Sequence, residues 1–409
     1  MGDCWLKCNL CAKTAPLDTM KGKCECGGTL LVEYDLEKVK TTFTPENLQH
    51  RLHNMWRYHD LLPVRNEASR ISLGEGCTPL LRMNAAEAHL PLKELWIKRE
   101  DQNPTGSFKA RGMSMAVSLL HERGISKAAV NSNGNAASAL AAYAARAGIE
   151  AYVFVPMDCP PLIVEECMQY GAHTCLVDGL IHDAGRIVEE GKAEQHWFNV
   201  GTLKEPGRVE GKKTMGLELA EQFGWRLPDV IVYPTGGGSG VIGIWKAFRE
   251  LREMGLIQGE VPRFVSVQEE GCKPIVDHFE ELAAVRHGRV HSPAESEVTS
   301  KPTGMRVPSP PDPQLLVSIL REMNGTAVAV TSEEIEDAAK RLGAWGISAA
   351  PEGAATWAGL IRLCDEGSIH SEDRVVLFNT AHALKYLQVS TPNPMHIVKD
   401  YPEWRTLIR

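Results

Sequence analysis

The sequence predicts an α/β protein with two domains, each built on a doubly wound parallel sheet, and a small cysteine ribbon in front of them. Three observations support this fold class. Short apolar runs alternate with longer amphipathic ones between residues 95 and 378, as in parallel sheets that helices cover on both faces. The runs form two series, and 409 residues are too many for one small core. Five of the eleven cysteines lie within the first 26 residues.

The amino-acid composition limits which classes of protein this chain can belong to. Hydrophobic residues make up 43% of the chain and charged residues 23%, which is ordinary for a soluble globular protein. No apolar run approaches the roughly 18 residues that span a bilayer, and the N-terminus lacks the pattern of a secretory signal. We therefore expect a cytoplasmic protein without membrane contact. The net charge of -8 argues against broad binding to nucleic acid, so a small molecule is the expected partner.

The cysteine ribbon is predicted over residues 1–35, with its last strand at 30–34. Cys8 and Cys11 are followed by Cys24 and Cys26, and paired thiolates on two tight turns are how a zinc ribbon builds a tetrahedral sulfur site. The second pair is closer in sequence than usual, and Cys4 is a competing ligand. A structural zinc is the preferred interpretation. The alternative is a ribbon that has lost its metal or uses its thiols otherwise.

One lysine stands where a predicted strand gives way to a predicted helix. The strand is at 95–97, the helix at 113–120, and the turn formers at 103–107 lie between them. At the positive end of a helix in a partly desolvated cleft, the amine of Lys109 would lose its proton more easily and become nucleophilic. Most lysines at helix starts are simply solvated, so a catalytic role needs support from elsewhere in the chain.

The remaining elements alternate in two series. Predicted strands lie at 128–131, 151–155 and 174–177, then at 230–233, 264–267, 327–330 and 375–378. Predicted helices lie at 136–147, 161–170, 242–254, 332–342 and 354–363. Two sheets built from these series leave a cleft between them. The stretch 286–313 is rich in Ser, Pro and charge and is predicted to be a flexible insertion or lid.

A glycine-rich loop at 236–240 directly follows the strand at 230–233 and directly precedes a helix. Consecutive glycines there let backbone N–H groups converge on an anion at the helix N-terminus. The loop is neither a Walker loop nor G-x-G-x-x-G, so it does not indicate a nucleotide. A phosphate cradle is the preferred interpretation, and a tight turn without a ligand is the alternative.

Two further polar turns follow predicted strands. The turn at 132–138 presents amide and hydroxyl groups, although an ordinary helix N-cap would look much the same. Thr380 and His382 come just after the strand at 375–378, at the end where ligands bind in open α/β sheets. A lone histidine there is more often structural than catalytic.

These segments together resemble the threonine synthase branch of the fold type II, tryptophan-synthase-β-like, pyridoxal phosphate (PLP) enzymes. The resemblance covers roughly residues 73–385. The matching segments are GEGCTPL at 74–80, NPTGSFK at 103–109, SNGNAAS at 132–138, RVEGKKT at 208–214, the glycine loop, and TAHALK at 380–385. The cysteine ribbon is similar to an element that some members carry.

The resemblance implies PLP as the cofactor and a role for each matching residue. Lys109, with Phe108 beside it, would form the covalent link to the cofactor and later move protons. Asn135 would hold the ring hydroxyl, and Thr380 would face the pyridine nitrogen, where a hydroxyl favours elimination or replacement over transamination. The residues implied to bind the cofactor phosphate are Gly236, Gly237, Gly238, Ser239 and Gly240.

On the substrate side, the resemblance implies that Thr105, Ser132, Asn133 and His382 bind the substrate and that Arg208 meets its phosphate with a forked set of donors. The implied reaction converts O-phosphohomoserine and water into threonine and phosphate. The implied assembly is a homodimer. The implied domains are a large cofactor-binding one over 36–112 and 205–409 and a small α/β one over 113–204.

Several positions depart from the threonine synthase pattern. Ala110 replaces the usual aspartate after the lysine, glycines replace asparagines at Gly237 and Gly240, and Glu205 replaces an asparagine near Arg208. A carboxylate there would repel a substrate phosphate unless it points away or pairs with Lys204 or Lys212. A serine/threonine dehydratase or a β-replacement enzyme acting on a related (phospho)amino acid is therefore the alternative. A non-catalytic protein that binds PLP and a partner is a third hypothesis.

Overall fold

The structure is a computed structural model that describes residues 4–84, 90–286, 298–387 and 405. This part of the chain contains thirteen strands in three sheets, together with twelve α-helices. None of its helices is both long and apolar enough to cross a bilayer.

The N-terminal ribbon is a three-stranded antiparallel sheet. Its strands are β1 (Cys4–Cys8), β2 (Thr14–Ala15) and β3 (Leu30–Tyr34), in the order β2-β1-β3, so the predicted last strand is confirmed. Alternate side chains of β1 are buried, as expected for a strand with one covered face. They join the apolar core of the largest sheet, and the ribbon therefore packs as part of the main body.

Hydrogen bonds tie the ribbon to two distant segments of the chain. Gly22 N donates to Lys204 O over 3.1 Å. Lys23 Nζ donates to Pro311 O over 3.1 Å and lies 3.4 Å from a carboxylate oxygen of Asp312. The ribbon thus contacts the chain on both sides of the cleft described below.

The elements between the ribbon and the small sheet begin with two one-turn helices, α1 (Leu36–Val39) and α2 (Pro45–Leu48). They are followed by β4 (Leu80–Met83), β5 (Glu94–Arg99) and α3 (Lys109–Glu122). Helix α3 begins four residues before the predicted start at 113, so the candidate lysine is its first residue. The helix starts two residues after the turn formers at 103–107, earlier than its apolar periodicity alone indicates.

The small sheet is fully parallel, with the order β8-β7-β6-β9. Its elements alternate along the chain as β6 (Lys127–Asn131), α4 (Asn135–Ala147), β7 (Glu150–Pro156), α5 (Pro161–Gln169), β8 (His173–Val177), α6 (Ile181–Gln195) and β9 (Phe198–Asn199). The predicted strands and helices of the first series are all present. Helix α6 was not predicted.

The large sheet has the order β12-β11-β10-β13-β5-β4. After the small sheet come α7 (Gly207–Gln222), β10 (Val230–Pro234), α8 (Ser239–Glu253), β11 (Arg263–Glu269), α9 (Pro274–Arg286), α10 (Pro313–Glu322), β12 (Thr326–Val330), α11 (Ser332–Ala344), α12 (Pro351–Asp365) and β13 (Arg374–Asn379). The two doubly wound sheets of the predicted α/β fold are confirmed. Helices α7, α9 and α10 were not predicted.

Strand β4 is the exception to the parallel arrangement, because it pairs antiparallel with β5. About ten residues separate the two strands, whereas a parallel connection needs a crossover of a dozen or more. The predicted insertion at 286–313 falls partly outside the described residues, at 287–297. Its described remainder, 298–312, reaches the cleft between the two sheets.

Candidate active site

A cleft between the two sheets gathers segments that are far apart in sequence. Its walls are the turns after β6, β10 and β13, the start of α3, the start of α12 and residues from the segment 304–307. Since these turns follow the carboxyl ends of parallel strands, the cleft lies where open α/β sheets bind ligands. Lys109, Phe108, Asn135, Thr380 and the glycine loop all line it.

The amine of Lys109 is set for nucleophilic chemistry. Its Nζ lies 3.7 Å from the centroid of the Phe108 ring. The backbone just before Lys109 is hydrogen-bonded to the turn after β13, because Phe108 N donates to Thr380 O over 3.0 Å. Burial, and then the charge of Arg208, lowers the pKa of Lys109 to about 7, while Glu352 opposes the change. A large share of the amine is therefore unprotonated near neutral pH.

The glycine loop forms a cradle at the N-terminus of α8. Gly238 has a φ of +79°, and a Cβ there would meet Leu316 Cδ1 at 2.3 Å. A Cβ on Gly240 would meet the hydroxyl oxygen of Tyr233 at 2.0 Å. Glycine is thus required at both positions, and the free N–H groups of the first turn of α8 remain available to an anion.

Asn135 and Thr380 face the cleft from opposite sheets. Asn135 Nδ2 donates to the hydroxyl of Tyr386 over 2.7 Å, while its Oδ1 is buried without a partner among the described residues. Thr380 is 3% exposed. A buried amide oxygen without a partner, beside a reactive lysine and a glycine cradle, leaves hydrogen-bonding capacity for a polar ring. These residues fit PLP, which carries a phosphate, a ring hydroxyl and an aldehyde.

Ser132 and Asn133 occupy the turn after β6. Ser132 Oγ accepts hydrogen bonds from Gly134 N (3.0 Å) and Ala137 N (3.2 Å). The hydroxyl therefore caps the start of α4, as in the alternative interpretation of this turn as an ordinary helix N-cap. Asn133 Nδ2 donates to Arg306 O over 2.7 Å. That bond joins the small sheet to the segment 304–307 and helps to close the cleft.

Arg208 lies near the start of α7 and is 3% exposed. Its Nη1 donates to Val200 O over 2.8 Å, and no carboxylate of the described residues lies within ion-pair distance of its guanidinium. Burial lowers the pKa of Arg208 to about 10, although Glu205 acts to raise it. A buried guanidinium without a carboxylate partner is a ready binding position for an anion.

Glu205 points away from the tip of that guanidinium. Its carboxylate accepts hydrogen bonds from the backbone N–H groups of Gly207 and Arg208 at the start of α7, the latter over 2.8 Å. Burial raises the pKa of Glu205 to about 7. The repulsion expected from the sequence is therefore relieved twice, by orientation and by partial protonation.

Thr105 and His382 lie beside the cleft and are not among its lining residues. Thr105 has a φ of +62° in the turn before Lys109, and its carbonyl accepts from Lys385 Nζ over 2.7 Å. His382 Nδ1 accepts from Leu384 N over 3.2 Å and so caps a short 3-10 helix. The imidazole of His382 is thus engaged in local structure, whereas the hydroxyl of Thr105 is buried without a hydrogen-bond partner among the described residues.

Glu352 was missed by the sequence analysis. It sits in the first turn of α12, is 5% exposed, and lines the cleft. Its Oε1 accepts from Gly304 N over 2.6 Å, whereas its Oε2 has no partner among the described residues. Burial raises the pKa of Glu352. A single acidic residue at the start of a helix of small and apolar residues was the signal that could have found it.

Lys212 was quoted within the motif 208–214 but given no role. It is 1% exposed, and its Nζ donates to the hydroxyl of Ser239 over 2.6 Å, in the glycine loop. Burial, and then the charges of Arg208 and Lys109, lowers the pKa of Lys212 well below its usual value. Arg208 and Lys212 therefore lie one turn apart on α7, Arg208 at the cleft and Lys212 against the glycine loop.

The four predicted cysteine ligands form one group at the tip of the ribbon. All four Sγ atoms lie within 4.8 Å of one another, with Cys8–Cys26 at 3.4 Å and Cys11–Cys24 at 3.7 Å. Zinc–sulfur bonds of about 2.3 Å in a tetrahedron place the sulfurs roughly 3.8 Å apart. Cys4 lies outside the group, at the opposite end of β1 from Cys8. Its competition as a ligand is not borne out.

Comparison with known proteins agrees with this site. The family model for pyridoxal-phosphate dependent enzymes matches residues 71–381. The threonine synthase of Methanocaldococcus jannaschii is 37% identical over 381 residues, which is 93% of this chain and 92% of the relative. That of Methanosarcina acetivorans is 35% identical over 383 residues, with 93% and 92% covered.

Among solved structures, O-ureido-L-serine synthase is similar to this chain with a TM-score of 0.64 at 18% identity, over 85% of this chain and 99% of that one. This likeness shows a shared fold. The fold, the cleft and the relatives agree: the chain belongs to the threonine synthase-like branch of the fold type II pyridoxal-phosphate dependent enzymes and is a lyase of that family.

Proposed function

We propose that the protein is a threonine synthase, which converts O-phosphohomoserine and water into threonine and phosphate in amino-acid biosynthesis. The observation that carries this proposal is the buried guanidinium of Arg208, which forms no ion pair with a carboxylate of the described residues, in the same cleft as a separate glycine cradle. The cleft thus offers two positions for anions, one for the cofactor and one for a phosphorylated substrate. The 37% identical relative named threonine synthase supports the same substrate.

Each group in the cleft has a task in this reaction. When bound, PLP supplies an electron sink that acidifies the hydrogens of the substrate. Lys109 Nζ takes the proton from the substrate Cα, because its pKa of about 7 leaves much of the amine free to accept it. Asn135, Thr380 and Phe108 hold the cofactor ring in place. The cofactor phosphate is held by Gly236, Gly237, Gly238, Ser239 and Gly240.

The substrate is held at both of its ends. Ser132 and Asn133 begin the turn at the N-terminus of α4, where N–H groups and the helix dipole favour the substrate carboxylate. Arg208 binds the leaving phosphate. Thr105 and His382 act as positioning residues, since His382 N donates to Gly106 O over 2.9 Å and so holds the turn that leads to Lys109.

Glu352 is positioned to keep a proton in the closed site. Its unpartnered Oε2 is buried, and burial raises the pKa of the carboxyl while the charge of Lys109 opposes this. The elimination of phosphate needs protons to leave one carbon and reach another. A buried carboxyl beside the lysine can hold one of them at Oε2.

The alternative is a serine/threonine dehydratase or a β-replacement enzyme. It is favoured by Ala110, which is fully buried in α3 where a synthase usually has an aspartate. A dehydratase or replacement enzyme acting on an unphosphorylated amino acid would not need the second anion position, whereas one acting on a phosphorylated amino acid would still use it.

Product analysis separates the two functions. Purified enzyme is supplied with O-phosphohomoserine, serine or threonine, and phosphate, threonine and keto acid are measured. Threonine and phosphate in equal amounts from O-phosphohomoserine are expected. Keto acid from serine or threonine, with no threonine formed from O-phosphohomoserine, would show that the dehydratase function is correct.

We also propose that Cys8, Cys11, Cys24 and Cys26 bind a structural zinc, because their sulfur spacing suits a tetrahedral thiolate site. Metal analysis of freshly purified protein should find one zinc per chain, and Cys24→Ser should lower that ratio. Cys4→Ser is the matched control, since Cys4 lies in the same ribbon outside the group. Zinc-free protein from a zinc-rich preparation would contradict the proposal.

The remaining proposals concern the oligomeric state, the cellular location and the binding partners of the enzyme. We propose a homodimer in the cytoplasm that acts on a small molecule and binds neither nucleic acid nor membranes. Light scattering on the eluted protein should give twice the chain mass of 45.0 kDa. A mass of one chain would contradict the dimer.

A further inference from the structure

We propose that Lys212 is a cofactor-binding residue whose ammonium supplies the counter-charge for the cofactor phosphate in the glycine loop. The inference rests on PLP as the cofactor and not on the substrate proposed above. Either proposal can therefore fail without the other.

The geometry places Lys212 directly behind the loop. Its Nζ donates to Ser239 Oγ over 2.6 Å, and Ser239 is the first residue of α8. The stem of the side chain runs past Gly112, where a Cβ would lie 3.1 Å from Lys212 Cε. The ammonium is thus held at the helix terminus that receives the phosphate.

Lys212 forms no ion pair among the described residues, and the charge of Glu205 favours its ammonium by less than burial disfavours it. The other fully buried lysines of the described chain each have a carboxylate partner: Lys98 pairs with Glu218, Lys213 with Glu210 at 2.6 Å, and Lys246 with Glu210 at 3.1 Å. For Lys212 no carboxylate oxygen of the described residues lies within 4.0 Å. A buried unpaired ammonium is strongly unfavourable, so this lysine either stays neutral or pairs with an anion from outside the chain.

The arrangement also places a condition on the protonation of the lysine. Burial, Arg208 and Lys109 disfavour the ammonium before a ligand is present, and the opposing charge of Glu205 does not outweigh them. A dianionic phosphate in the cradle would reverse that balance, because an opposite charge at close range favours the charged form. Binding of the cofactor and protonation of Lys212 should therefore be coupled.

A purely structural role is the competing interpretation. Glycine N–H groups and a helix dipole hold phosphate in many proteins without a lysine, and Lys212 would then only fix the hydroxyl of Ser239. Lys212→Gln distinguishes the two roles, since glutamine can still donate a hydrogen bond but carries no charge. Lys212→Met, of similar length, removes both the charge and the hydrogen bond. Lys204→Gln is the matched control, because Lys204 is half-exposed and pairs with Glu189.

The test uses the holoenzyme and two readouts that do not depend on turnover. The phosphorus NMR signal of the bound cofactor should stay constant from pH 6 to 9 in the wild type, as for a phosphate held dianionic. In Lys212→Gln it should move with pH, and the dissociation constant for PLP should rise roughly 10- to 100-fold. Lys204→Gln should match the wild type in both.

Three results would overturn the proposal. The first is a Lys212→Gln protein with the wild-type phosphorus signal and the wild-type affinity for PLP. The second is weaker binding with an unchanged, pH-independent phosphorus signal, which would mean that Lys212 only positions Ser239. If Lys212→Gln does not fold, the same measurements on Lys212→Met decide, and wild-type behaviour there is the third.

Discussion

Lys212 and Lys213 are neighbours in α7, equally buried, and they face opposite environments. Lys213 belongs to a ribbon-side cluster of two glutamates and two lysines, Glu210, Lys213, Lys246 and Glu250. Lys212 belongs to a cleft-side cluster of three basic residues, Lys109, Arg208 and Lys212, which form no ion pair with Glu205 or Glu352 nearby. The first cluster is neutral within itself and the second is not. Buried charges that pair within the protein stabilise the fold, whereas buried charges without such a partner leave a position at which an external ion can bind.

The acidic residues near each cluster show the same difference. Burial acts to raise the pKa of Glu210, but the charges of Lys213 and Lys246 lower it overall. Tyr34 of the ribbon completes that cluster by donating its hydroxyl to Glu210 over 2.6 Å. On the cleft side, burial prevails and raises the pKa of Glu205 to about 7. The cleft therefore holds cations whose charge the neighbouring acids do not fully neutralise.

The largest effect should come from removing the reactive member of the cleft-side cluster. Lys109→Ala should lower turnover by about 1,000-fold or more, because it deletes both the covalent attachment and the base. The visible absorbance of the attached cofactor should disappear as well. Steady-state assays and spectra check this, with the exposed Lys340→Ala as control. Unchanged turnover would disprove the proposed mechanism.

Breaking the ribbon-side cluster should instead affect stability. Glu210→Ala leaves Lys213 and Lys246 with one carboxylate between them, and we expect the free energy of unfolding to fall by about 3–5 kcal/mol. Urea denaturation at pH 7.5 measures it. Lys212→Met, on the same helix, is the contrasting variant. It should lower the free energy of unfolding of the cofactor-free protein only slightly. Equal losses in both variants would mean that the two clusters do not differ as described.

The next variant tests whether the guanidinium of Arg208 binds the phosphate group of the substrate. Arg208→Ala should raise KM for O-phosphohomoserine roughly 10- to 100-fold, since it removes a charge-assisted hydrogen bond. Inhibition by unphosphorylated homoserine should change much less. Arg186→Ala, exposed on α6, serves as control. A uniform loss for both ligands would assign Arg208 to general packing.

The pH dependence of stability should show the smallest effect. The pKa of Lys109 is lowered from 10.5 to about 7 in the folded protein, so between these values the unfolded state binds the extra proton. Stability of the cofactor-free protein should therefore rise with pH in that window, by up to about 1.4 kcal/mol per pH unit from this group. Denaturation at pH 7 to 9 checks this, and Lys109→Met should have the shallower slope. Equal slopes would contradict the lowered pKa.

Periodicity predicted most of the fold. Apolar runs of five or six residues between amphipathic helices located β6, β10 and β13 within one or two residues. The direction of β4 could not be read in this way, because an apolar run looks the same in either orientation and only the length of the connection to β5 decides. Helix α7 was missed because its charged residues are buried together with its apolar ones, which hides the helical period.

The candidate site was predictable where one segment carries its own chemistry. The glycine loop could be located from neighbouring residues alone, whereas a role for Lys109 needed the other motifs of the chain beside it. Glu352 and Lys212 were missed, since what gives each its character is a partner far away in sequence, Gly304 for one and Ser239 for the other. The bond between the Thr105 carbonyl and Lys385 was hidden for the same reason.

The docking of the ribbon has a consequence for how the protein can be divided. Its hydrogen bonds to Lys204 and Pro311 reach the chain just ahead of Arg208 and just beyond the segment 304–307. A chain that started at residue 36 would leave both carbonyls without these donors and would remove the Tyr34 hydroxyl from Glu210. The ribbon therefore supports the packing behind the cleft, and its removal should affect more of the protein than the ribbon alone.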